Sequence, residues 1–131
     1  MGANSRKILV VDDDESVCEL LQFVLTREGF TVNVVRDGEE AIRKTPELKP
    51  DLLLLDLMLP RYGGFEVLRQ LQKPETSGIP IIVFTGRYTD RSTQELIRGE
   101  TNVVDFLEKP LNTVTLTTRI HNILKTAPPV K

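Results

Sequence analysis

Three consecutive aspartates, Asp12, Asp13 and Asp14, follow directly on an apolar run, Ile8-Leu9-Val10-Val11. A second run, Leu52-Leu53-Leu54-Leu55, also ends on an acid, Asp56. Two unit charges about 4 Å apart repel by about 4 kcal/mol at an effective dielectric of 20. Folds tolerate such crowding mainly at functional sites, so the acids read as a site for a cation. Asp14 reads instead as a first-turn helix residue favoured by the macrodipole. Two more apolar runs end on groups of a different kind: Thr85 follows 79–84, and Lys109 follows 103–107 and precedes Pro110, a turn that would aim it.

These groups meet only if the runs that carry them lie side by side. Apolar and amphipathic segments alternate five times. Strands are expected at 7–11, 30–35, 51–55, 79–84 and 103–107, from their continuous or β-branched apolar character. Helices are expected between and after them. Residues 15–28 place Val17, Leu20, Leu21, Val24 and Leu25 on one face and stop at Gly29, as a C-terminal glycine does. Asp37 and Glu40 form a capping-box start for a short helix ending near Pro46. A third helix runs over about 65–71, after Pro60 and Gly63-Gly64. The segment 89–98 is a weak helix, anchored only by Leu96 and Ile97. The last, about 112–125, sets Leu116, Ile120, Ile123 and Leu124 on one face. Its threonines are poor helix formers, so packing must hold it.

Near-continuous Val, Ile and Leu strands are buried on both faces, which implies a parallel sheet covered by helices. Functional groups of such open sheets collect at the carboxyl ends of the strands, beside the switch point in strand order. Asp12, Asp13, Asp56, Thr85 and Lys109 all stand at such ends, so the topology predicts one shared pocket.

Composition agrees with one domain: 131 residues, 40% hydrophobic, formal net charge −2. That balance gives no general affinity for nucleic acid or membrane. The single Cys18 excludes an internal disulfide and reads as a small, partly buried apolar residue. No apolar stretch approaches the roughly 18 residues of a membrane span. The N-terminus lacks a signal-peptide core, and Arg6 stands where a myristoylation motif needs Ser or Thr. A cytoplasmic chain is expected. His121, the only histidine, reads as a surface or half-buried polar residue.

At Val11-Asp12-Asp13, Asp56-Leu57-Met58-Leu59-Pro60 with Gly64, Thr85-Gly86 and Phe106-Leu107-Glu108-Lys109-Pro110, the chain resembles the receiver domain of two-component response regulators, the family that includes the chemotaxis response regulator. The resemblance covers about residues 6–125, leaving 126–131 as a tail or linker stub. It implies a doubly wound α/β fold of the flavodoxin-like type, with five parallel strands in the order 2-1-3-4-5. It also implies that Asp56 accepts a phosphoryl group from a histidine kinase or phosphotransfer protein. Mg²⁺ would be held by Asp13 directly, by Asp12 mainly through water, by the Asp56 carboxylate and by the Met58 backbone carbonyl. Lys109 and the Thr85 hydroxyl would contact the phosphoryl group.

The resemblance further implies a signalling switch rather than a turnover enzyme. Thr85 and Phe106 form the switch pair, and the change emerges on the face of the fourth helix, fifth strand and fifth helix. The effector would be a partner protein or a fused output domain, with a phosphorylation-dependent dimer among the outcomes and no direct nucleic-acid contact. Two departures stand out. Phe106 replaces a tyrosine common in the family, and Asn102 takes a glycine position, where asparagine is the next best residue for a left-handed backbone. Met58 and Arg87 are expected to shield the acyl phosphate from water.

Three alternatives carry different features. A haloacid-dehalogenase-type phosphatase would use Asp12-Asp13-Asp14 as its Asp-x-Asp but leaves Asp56 without a role. A flavin binder needs a Ser/Thr/Gly-rich loop where this chain has aspartates. A receiver-like module that binds without phosphorylation conflicts with the presence of all five pocket residues.

Overall fold

Side-chain alternation along the strands divides the interior into two layers. In the computed structural model, which describes residues 6–59, 63–85, 95, 97, 99 and 102–129, five strands form one parallel sheet. They are β1 (Lys7–Val11), β2 (Thr31–Val35), β3 (Leu52–Asp56), β4 (Ile81–Thr85) and β5 (Val103–Glu108). Their order is β2-β1-β3-β4-β5. Four helices are described, α1 (Glu15–Arg27), α2 (Gly38–Leu48), α3 (Gly64–Gln70) and α4 (Thr113–Leu124). The fold is the expected doubly wound, flavodoxin-like one.

On one face, Ile8, Val10, Leu52, Leu54, Ile82 and Phe84 pack against Cys18, Leu21 and Leu25 of α1 and Leu116, Ile120 and Leu124 of α4. On the other, Leu9, Val11, Leu53, Leu55, Ile81 and Val83 meet Ala41 of α2, Val67 and Leu68 of α3, and Ile97 and Phe106. Leu52 to Leu55 are all fully buried, because a period-2 strand sends alternate residues into each layer. Among the described residues no helix is long and apolar enough to cross a membrane.

Local chemistry sets the helix ends. Asp14 is the N-cap of α1 rather than a first-turn residue; its carboxylate accepts from the amides of Ser16 and Val17. Gly29, at φ 98°, donates to Thr26 O while Phe30 N–H reaches Leu25 O, the paired bonds of a Schellman ending. Asp37 caps α2 through Glu40 N–H. That helix passes Pro46 and ends at Leu48, beyond the expected stop. Thr45 is buried, its hydroxyl donates to Ala41 O at 2.6 Å, and the amide of Lys49 closes the last turn on Thr45 O.

Three further expectations are corrected. Leu20 is 44% exposed while Cys18 is 2% exposed, so the sheet-facing stripe of α1 runs through Cys18, Leu21 and Leu25. Left-handed non-glycine residues among those described are Lys49 and Lys125, and Asn102 is not one of them. Its side chain is used instead: the amide donates to Ile79 O and accepts from Gln72, joining the start of β5 to the loop before β4. His121 is buried, 6% exposed, because it bridges three elements. Its Nε2 is 2.7 Å from Glu28 Oε1, its Nδ1 is 2.7 Å from Thr126 Oγ1, and its ring lies 5.2 Å from that of Phe30. The helix expected over 89–98 lies outside the described residues except for Glu95 and Ile97.

Candidate functional site

The register of the sheet brings the strand ends together. Val11 pairs with Leu55, so Asp12 and Asp56 leave neighbouring strands at nearly the same level. Asp56 pairs with Phe84, and Thr85, the next residue, pairs with Glu108. Lys109 follows, its amide bonded to Thr85 O at 2.8 Å, and the Lys109–Pro110 bond is cis.

One carboxylate oxygen from each of Asp12, Asp13 and Asp56 lies within 4.8 Å of the others. Asp12 is fully buried and Asp56 is 3% exposed, while Asp13 is exposed. The ammonium of Lys109 lies 2.9 Å from Asp12 Oδ2 and 3.1 Å from Asp56 Oδ2. The Asp12 contact is an ion pair with poor hydrogen-bond alignment, so among the described residues this buried oxygen lacks a well-directed donor. Its sister oxygen, Oδ1, accepts from Asp14 N–H at 2.9 Å.

Electrostatics follow from that crowding. Burial, opposed by the Met58 amide and reinforced by the Asp12 charge, pushes Asp56 up from 3.8 to about 6. Burial also disfavours the Lys109 charge, but the carboxylates of Asp12 and Asp56 outweigh it and hold the ammonium above the usual lysine range. Ser16, and then Val17, lower the pKa of the Asp14 carboxyl by hydrogen bonding.

A divalent ion fits this donor set. Three hard oxygens in a small hollow, two of them buried, suit an ion that takes few carboxylates and keeps several waters. The poorly satisfied Asp12 Oδ2 supplies an acceptor that an ion would engage.

Loop geometry frames the pocket. Met58 N–H donates to Asp56 Oδ1 at 3.0 Å, and the Met58 side chain is 53% exposed. Gly64 N–H bonds to Leu57 O at 3.0 Å. A Cβ on Gly64 would lie 2.6 Å from Leu57 Cα, so the motif glycine is required by close approach of two backbones. Phe106 is 9% exposed and packs in the layer that holds Val83 and Ile97. Thr85 is 2% exposed. Pro60, Gly86 and Arg87 lie outside the described residues.

Sequence reasoning missed one contributor. Cys18 is buried beside the site with Sγ 3.2 Å from Asp12 O, and burial, then the Asp12 charge, pushes its thiol up to about 11. The only signal was its place four residues after Asp14, one helical turn along α1.

The model of the response regulator receiver domain family matches residues 8–121. The chain is 39% identical over 121 residues to the alkaline phosphatase synthesis transcriptional regulatory protein PhoP of Bacillus subtilis (strain 168), covering 92% of this chain and 49% of that protein. It is 41% identical over 126 residues to the DNA-binding response regulator MtrA of Mycolicibacterium smegmatis, covering 95% of this chain and 53% of that one. Among solved structures, the signal receiver domain of a LuxO repressor homologue from Vibrio parahaemolyticus superposes with a TM-score of 0.81 at 30% identity, over 92% of this chain and 90% of that chain. The chain thus spans about half the length of the two full-length relatives.

Proposed function

This chain belongs to the response regulator receiver domain family, and from that premise we propose that it is a phosphoacceptor switch whose acceptor is Asp56. The observation that carries the reading is the convergence of Asp12, Asp13 and Asp56 within 4.8 Å, with Lys109 against two of them.

In the proposed step an Asp56 carboxylate oxygen attacks the phosphorus of a phosphohistidine on a kinase or phosphotransfer protein. A P–O bond forms, the P–N bond breaks, and the imidazole leaves with the electron pair. Transfer of this kind proceeds through a loose transition state, so positioning and charge neutralisation dominate. Asp12, Asp13, Asp56 and the Met58 carbonyl would hold Mg²⁺, which neutralises charge on the transferring group when bound. Lys109 would exchange its carboxylate partners for a phosphoryl oxygen, and the Thr85 hydroxyl would donate to another. Asp56 accepts the group only as the carboxylate, which its pKa of about 6 leaves predominant at neutral pH.

Residues 6–125 would form the receiver unit, acting without turnover of a substrate pool. Phosphorylation would shift the Thr85–Phe106 pair and alter the face of β5 and α4 for a partner or an attached output domain. A cytoplasmic histidine kinase pathway fits these roles.

The test is exposure to acetyl phosphate or phosphoramidate with Mg²⁺, followed by intact mass. One adduct on wild type and none on Asp56→Asn is expected. An adduct retained by the variant, or no adduct on the wild type, overturns the reading.

A further inference from the structure

Among the described residues, β2 and the start of α1 both hold Asp12. Its amide donates to Val35 O of β2 at 3.2 Å. Its Oδ1 accepts from Asp14 N–H at 2.9 Å. Its carbonyl accepts from the Cys18 thiol at 3.2 Å. Oδ2 faces Lys109. Two of these three restraints come from the first turn of α1 and its cap.

We infer that this first turn is an orienting device for Asp12, with Asp14 and Cys18 as positioning residues for the cation site. The inference rests on the phosphoacceptor reading above. Asp14 acts through its backbone. Its carboxylate accepts from Ser16 N at 2.9 Å, Ser16 Oγ at 2.7 Å and Val17 N at 3.3 Å. Those bonds fix the extended cap conformation, φ −82° and ψ 112°, that turns its own N–H toward Asp12 Oδ1. Cys18 acts from the buried side of the helix. Its amide bonds to Asp14 O at 3.0 Å and its thiol to Asp12 O, so one residue ties both ends of the 12–14 loop to α1.

The consequence is rotational. With Oδ1 committed to a backbone amide, the Asp12 carboxylate cannot turn about its Cβ–Cγ bond without losing that bond. Oδ2 is therefore held on the pocket side, against Lys109, before any ion arrives. Outer partners that aim a ligand in this way typically change metal affinity by about 10–100-fold when removed. A thiol donor is weaker than most such partners.

Calorimetric titration with Mg²⁺ alone, on the folded protein well below its melting temperature, tests this. Asp14→Ala is expected to raise the Mg²⁺ Kd by about tenfold, at the lower end of that range, and Cys18→Ala by about threefold, as a thiol donor warrants. Asp14→Asn, which caps equally well but lacks the charge, restores affinity to within about twofold, as does Cys18→Ser. Leu25→Ala, a buried α1 residue distant from the acids, loses stability but keeps the wild-type Kd. Wild-type affinity in the two alanine variants overturns the proposal. So does equal weakening in Leu25→Ala, or failure of Asp14→Asn to restore binding, which would make the charge of residue 14 the active feature. Absence of Mg²⁺ binding by the wild type overturns the phosphoacceptor reading together with this one, whereas binding that ignores the α1 variants overturns this one alone.

Discussion

The ammonium of Lys109 stands 3.1 Å from Oδ2 of Asp56, reaching across the end of β4 to a strand with which β5 does not pair. This contact lowers the cost of a buried carboxylate, yet burial still wins and Asp56 titrates at about 6.

The sign of that shift makes a stability prediction. A carboxyl whose folded pKa lies above its ordinary value of 3.8 contributes stability that is complete below pH 4 and lost as pH rises through 6. Asp56→Asn removes the penalty. It should be more stable than wild type by about 1–3 kcal/mol at pH 7.5, with the difference vanishing near pH 4. Urea melts at the two pH values check this. Protons also compete with the ion, so wild-type Mg²⁺ affinity should be about fourfold weaker at pH 5.5 than at pH 7.5.

Gly64 and Gly78 form a matched pair. A Cβ at 64 meets the Leu57 backbone at 2.6 Å, whereas one at 78 meets nothing within 4 Å. Gly64→Ala should cost about 1–3 kcal/mol and slow phosphorylation, because the displaced Leu57 neighbours both Asp56 and Met58. Gly78→Ala should be neutral or stabilising by up to about 1 kcal/mol. Equal behaviour of the two would remove close packing as the reason for the motif glycine.

Met58 carries an exposed side chain, 53% accessible, two residues beyond Asp56, the proposed acceptor. If its bulk hinders attack by water on the acyl phosphate, Met58→Asn should lose its phosphoryl group several-fold faster, a change of about 1 kcal/mol in barrier. Decay of the adduct followed by intact mass decides the matter, and an unchanged lifetime would refute the shielding role.

His121 links α1 to α4 through Glu28 and to the following segment through Thr126. Replacing it with alanine breaks both bonds and removes the ring beside Phe30. Destabilisation of about 2–4 kcal/mol is expected, against about 1 kcal/mol for Thr126→Ala, which removes one bond near the chain's surface. Thermal melts of both variants measure the ratio.

Much of this architecture is legible in the sequence. Unbroken apolar runs such as 52–55 leave no face for solvent, and that alone implies a parallel sheet with helices on both sides. The convergence of Asp12, Asp56, Thr85 and Lys109 then follows from topology. What escaped were features in which a side chain answers to a distant element. Leu20 and Cys18 share the margin of one helical stripe, and only the lie of α1 on the sheet decides which is buried. Pro46 would end an isolated helix, but the buried Thr45 holds its turn. His121 reads as a surface or half-buried residue because Glu28 is 93 positions away in sequence.

The clamp at His121 has a mechanical corollary. It fastens α4 near its far end, leaving about 13 Å of helix between that fulcrum and Asn112. A tilt of about 5° there sweeps the Asn112 end through about 1 Å, by the same rise per residue. Asn112 lies three residues beyond Lys109, so a displacement around the ammonium enters α4 at this end and diminishes toward the His121 clamp.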